Sequence, residues 1–138
     1  MKHSFKTMSL FFLSFITFIS FTSCKKNKSS SDTTNPIIAI VEPTDLDTLK
    51  LSVESELHIE FTASDNSSLH SLEVNLLDSS NAILFQSTPN VMDQTSYAFH
   101  SHYIPIGITG LTWMKITIKA TDHSSNIAEK VLKVYVKP

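Results

Sequence analysis

His100 and His102, in the stretch "FHSHY", are the side chains of this chain with the plainest capacity for chemistry. On a β-strand, residues two apart point to one face, with their backbones roughly 7 Å apart. Two neutral imidazoles so placed can hold zinc or copper when a third ligand joins them. His70 and Asp93 are candidates for that ligand, although no spacing rule puts either beside the pair. The plainer reading is a polar strand face open to water. His58, on the polar side of an alternating strand, and His123, in a turn, read as solvated.

A second pair comes from an echo. "FTASDNSSL" (61–69) and "IKATDHSSN" (118–126) share Ala, Asp, Ser and Ser at matching positions. Each closes an alternating strand and enters a turn. Asp65 and Asp122 therefore read as equivalent turn-formers, whose carboxylates accept backbone N–H bonds from the residues that follow.

Nothing comparable points to catalysis. There is no Gly-rich phosphate loop, no nucleophile elbow and no His-Glu-x-x-His pattern, and the serines sit in turns. The chain reads as a non-enzyme. It contains no Arg, and its formal charge is −2. Nucleic-acid binding needs phosphate-neutralising cations and favours the guanidinium fork, so a nucleic-acid partner is not expected.

Cys24 is the single thiol. It follows a basic start (Lys2, Lys6), the apolar run Met8–Phe21 and the small pair Thr22 and Ser23. That order describes a secretory signal, and the run is shorter than the roughly 20 residues of a membrane-spanning helix. "FTSC" resembles a bacterial lipobox, with Phe21 where Leu is usual. The resemblance implies cleavage before Cys24 and acylation of its sulfur with palmitate-type chains. Each buried CH₂ contributes about 0.8 kcal/mol, so several chains anchor stably. The reading is then a signal peptide over 1–23, a lipidated and disordered polar tether over 24–35, and a folded domain over 36–138. Lys25, Lys26 and Lys28 would meet anionic headgroups.

The positioning elements are strands. "PIIAIVEP", "ELHIEFTASD", "LHSLEVNLLD", "AILFQST", "TSYAFHSHYI", "LTWMKITIKATD" and "IAEKVLKVYVKP" each read as a strand, most with period-two alternation, separated by turn residues. Leu57, Ile59, Phe61, Leu72, Val74, Leu76, Phe99, Met114, Ile116, Ile118, Leu132 and Val134 fall on the apolar side and are the expected core. Seven strands with one polar face each predict an all-β, immunoglobulin-like antiparallel β-sandwich. The strands that end at Asp65 and Asp122 take positions B and F, so their following loops share one end.

"KATDHSSNIAEKVLKVYV" resembles the last hairpin of bacterial Ig-like and cadherin-like modules. "FHSHYIPIGITGLTWMKITIKATDHSSN" resembles a family of uncharacterised Ig-like domains in lipoproteins of Gram-negative bacteria. The likeness spans 36–138, with Ser125 where the family has Gly. It implies the same sandwich and a lipid-anchored place in the cell envelope, and Lys25, in place of Asp after the cysteine, points to the outer membrane. The expected function is a non-catalytic binding or structural module that holds another envelope protein, a glycan or an extracellular surface. Cadherin-like modules carry acids that hold Ca²⁺, so the resemblance also makes Asp65 and Asp122 calcium candidates. No other cofactor is implied. "DTT" and "DTL" resemble an O-glycosylation signal of exported bacterial proteins, which makes Thr33 and Thr48 acceptor candidates.

Overall fold

A computed structural model describes residues 31–138. The expected signal peptide, Cys24 and the first part of the expected tether lie outside the described residues. Eight strands form: β1 Ile37–Glu42, β2 Thr48–Lys50, β3 Leu57–Ser64, β4 Leu69–Leu77, β5 Ile83–Ser87, β6 Ser96–Tyr103, β7 Thr112–Asp122 and β8 Ile127–Lys137. There is no helix among the described residues, hence none there long and apolar enough to cross a membrane.

The strands make two sheets. One has three strands in the order β1-β3-β6, the other five in the order β2-β8-β7-β4-β5. β3 and β7 take the B and F positions, and the arrangement is an immunoglobulin-like sandwich. All pairings are antiparallel except β2 with β8, which is parallel. The parallel strand arises because the chain crosses from the first sheet to the second after β1 and runs on in the same direction. β2 adds a strand to the expected seven; at three residues it is too short to show alternation.

Alternation does the folding work. β3 buries Leu57, Ile59, Phe61 and Ala63 and turns His58, Glu60, Thr62 and Ser64 outward. β7 buries Met114, Ile116, Ile118 and Ala120 against them. All the side chains expected in the core are buried there. Phe61 and Phe99 pair directly across β3 and β6, with rings stacked at 5.0 Å, a geometry that adds to their area burial.

Ile38, Leu49, Leu69 and Val91 join the core. Val91 comes from the loop between β5 and β6. That loop is laced to the start of β4 by bonds from Asp93 N to Leu69 O and from Leu69 N to Gln94 O.

Candidate functional site

The long strands carry side chains to two ends of the sandwich. At the end where β3 and β7 finish, the echo pair is brought together. Asp65 Oδ1 accepts from the backbone N–H groups of Ser67 and Ser68, both at 2.9 Å. Asp122 Oδ1 accepts from Asn126 N, and its Oδ2 from Asn126 Nδ2, both at 2.7 Å. His123 N reaches Ser68 O at 3.4 Å and ties the two loops together. Both aspartates thus shape turns in a chain with only two Gly. Burial disfavours the Asp122 carboxylate. The Asn126 and Ser124 hydrogen bonds and the nearby His123 outweigh that effect and hold it below the usual carboxylate range.

Asp32 completes this end. Expected in a disordered tether, it is instead held against both loops. Asn66 Nδ2 donates to its Oδ2 at 3.0 Å, and Asn126 Nδ2 to its backbone oxygen at 3.1 Å. Asp32, Asp65 and Asp122 each offer a carboxylate oxygen within 4.8 Å of the others. Asp65 is 9% exposed, and its Oδ2 is buried without a hydrogen-bond partner. A buried, unsatisfied carboxylate oxygen is costly unless something balances it. The donor set fits a hard, oxygen-seeking cation. Ca²⁺ takes six to eight oxygens, and several here already serve the turns. Three side chains from this chain would leave the remaining positions to water.

The histidines fall in two places. His70 and His123 sit at this same end, with rings 5.1 Å apart. His123 Nε2 lies 3.0 Å from Asp93 Oδ1. None of these three joins His100 and His102. The third member of that group is His58, read from sequence as solvated. Antiparallel register sets His58 opposite His102 and Glu60 opposite His100, and alternation points them all outward. Ring centroids are 4.3 Å apart for His58 and His102, 4.5 Å for His100 and His102, and 6.2 Å for His58 and His100. One nitrogen from each lies within 4.8 Å of the others.

Carboxylates surround this trio. Glu42 Oε1 is 3.6 Å from His58 Nδ1, Glu54 Oε1 is 3.8 Å from His58 Nε2, and Glu56 Oε2 is 3.3 Å from His102 Nδ1. A cleft of about 110 Å³ beside His58 is lined by Glu42, Glu54 and Glu56. β1, β3 and β6 contain no Lys, whereas β2, β7 and β8 carry Lys50, Lys115, Lys119, Lys130, Lys133 and Lys137. The three-stranded sheet is thus the anionic, imidazole-bearing side. Lys133 on the other sheet sits over the rings of Trp113 and Tyr135, at 4.7 and 4.9 Å. Thr33 and Thr48 are both exposed.

The lower end, opposite the carboxylates, presents aliphatic side chains to solvent. In the loop joining β6 to β7, Ile104, Ile106 and Leu111 are 58%, 81% and 69% exposed. Val53, in the turn before β3, is 82% exposed. Composition alone hid this, because apolar residues in a loop carry no period.

No family model matches the chain, and no curated protein matches it. Among solved structures, an engineered protein determined by crystallography shares the fold at 12% identity and a TM-score of 0.52. The superposition covers 75% of this chain and 20% of that one, so this chain spans about a fifth of that protein. At such identity the likeness shows the fold alone.

Proposed function

We propose that this chain is a lipid-anchored protein of the bacterial cell envelope, whose Ig-like sandwich is a non-catalytic module that binds another envelope protein. The signal-like start and "FTSC" support acylation at Cys24. The observation that carries the binding role is polarity of display. The tether meets the fold at Asp32, held by Asn66 and Asn126. The exposed Ile104, Ile106, Leu111 and Val53 lie at the far end. A membrane anchor at the first end presents the second outward, where apolar side chains can be buried by a partner.

Two measurements test this. Metabolic labelling with an alkyne fatty acid should tag the wild type and not Cys24→Ala. A photo-crosslinking amino acid at Ile106 should trap a discrete envelope protein in cells, while the same group at Ser67, by the tether, should not. Equal trapping at both positions, or at neither, contradicts the binding role.

The buried Oδ2 of Asp65 favours a second role for the tether end, in which Asp32, Asp65 and Asp122 hold Ca²⁺ and brace the tether against the two loops. With so few free oxygens the site belongs to the weak class of extracellular calcium sites, at about 10⁻⁴–10⁻³ M. Millimolar Ca²⁺ should raise the melting temperature of the wild type and leave Asp32→Ala unmoved. An equal shift in both would remove this role.

A further inference from the structure

We infer that His58, His100 and His102 form a binding site for a divalent transition metal, with Zn²⁺ as the ion that best suits the donors. The site lies on the outer face of β3 and β6, next to the apolar far end and apart from the carboxylates beside the tether. It does not depend on lipid anchoring.

His58 and His102 are direct cross-strand partners, and His100 is two residues along the same face. Strands hold these Cα positions rigidly, so the ligands are placed before any metal arrives. The nitrogens already lie within 4.8 Å of one another. Tetrahedral zinc, with Zn–N distances of about 2.0–2.1 Å, needs them about 3.4 Å apart. Rotation about side-chain torsions closes that gap, since His100 and His102 are exposed and His58 is half-buried. Imidazole nitrogen suits zinc and copper, and is a poor donor for Ca²⁺ or Mg²⁺.

The surroundings fit the same chemistry. Metal-bound histidines commonly donate their second ring N–H to a carboxylate, which fixes the tautomer and strengthens the ligand. Glu56 stands at His102 Nδ1, which leaves Nε2 for the metal. Glu42 and Glu54 flank the two nitrogens of His58, so either ring orientation leaves one carboxylate to orient it. The other can take the fourth coordination position, or water can. Glu60, opposite His100, adds negative charge to a face whose strands carry no Lys. These imidazoles contact one another and the carboxylates of Glu42, Glu54 and Glu56. They are therefore free to change partners without disturbing the core.

The test is calorimetric titration of the untagged full-length chain, in detergent, with Zn²⁺. One equivalent should bind with micromolar affinity, undiminished by excess Ca²⁺. His58→Ala, His100→Ala and His102→Ala should each weaken binding by at least about tenfold. Glu56→Gln should weaken it by about tenfold with the stoichiometry unchanged, as expected of a positioning residue. His70→Ala and His123→Ala should bind as wild type. Metal-free melts should show each variant folded. Wild-type affinity in the triple histidine variant would overturn the assignment, as would loss of binding on removing His70 or His123, or no binding by the wild type at millimolar Zn²⁺.

Discussion

Three carboxylates gather at one end of β3 and three imidazoles near the other, about 23 Å away along the strand. The two groups stand in opposite relations to the fold. Asp65 and Asp122 spend oxygens on the backbone of their own turns, and both are buried. His58, His100 and His102 stand on the outer face of a finished sheet, above a core that does not need them. A ligand at the first cluster finds most of the oxygens already engaged in structural duties, Asp65 Oδ2 excepted. A ligand at the second meets none. The lesson is that clustering alone does not rank candidate sites; what each polar atom already does must be counted first.

The largest expected effect sets the scale. Phe61 lies on β3 between the two clusters and points inward, stacked on Phe99. Phe61→Ala should cost about 3–5 kcal/mol by chemical denaturation. A much smaller loss would mean that the inward and outward faces of β3 have been exchanged.

Next comes Asp65→Ala, which removes the acceptor for two backbone N–H groups. By analogy with lost capping bonds it should cost about 0.5–2 kcal/mol. No loss would show that the carboxylate end is as free as the imidazole face, and the contrast would collapse.

Acid probes the same end. The Asp122 carboxyl is held below its ordinary value of 3.8, so the unfolded chain binds its proton more readily than the folded one. Its contribution is complete above that ordinary value and is lost as pH falls through the lowered native one. Asp78, bonded by the Ser80 hydroxyl and by the Ala82 and Ser80 amides, acts in the same sense. Melting curves in acid should therefore fall less steeply for Asp122→Asn than for wild type. Parallel curves would remove Asp122 from the account.

A smaller gain should come from Ser125, which sits at a φ of 69°. The left-handed region costs a non-Gly residue about 1–2 kcal/mol, and Gly returns part of that gain as lost chain entropy. Ser125→Gly should stabilise the fold by up to about 1 kcal/mol, read as a rise in melting temperature. Smallest of all, His58→Ala and His100→Ala should each fall within about 0.5 kcal/mol of wild type. A larger loss would make the imidazoles structural.

Much of this was legible in the sequence, and the reasons for the rest are physical. Alternation in "LHIEF" and "MKITIKA" sorts side chains into inward and outward sets, because strand geometry has a strict period of two. The Ala-x-Asp-x-Ser-Ser echo anticipated the meeting of Asp65 and Asp122, because B and F strands end together. Alternation does not say which strand pairs with which. His58 was therefore separated from His100 and His102, since β4 and β5 leave for the other sheet before β6 returns beside β3. The neighbouring Glu54, Glu56 and Glu60 were a signal that could have singled out His58. Asp32 lay in a polar segment with no period at all, and its place depends on side-chain bonds to two distant asparagines. The Ser in place of Gly at 125 was visible, and the positive φ there gives the turn the conformation that Gly would favour.

The contrast between the two clusters can be measured in one set of thermal melts of the full-length chain, with Zn²⁺ or Ca²⁺ added to wild type, Asp32→Ala and the His58→Ala/His100→Ala double variant. A bound metal raises the melting temperature only where its site is intact. Zn²⁺ should stabilise wild type and Asp32→Ala equally and leave the histidine variant unmoved. Ca²⁺ should stabilise wild type and the histidine variant equally and leave Asp32→Ala unmoved. Shifts that ignore which cluster was altered would contradict the assignment of separate duties to the two ends of β3.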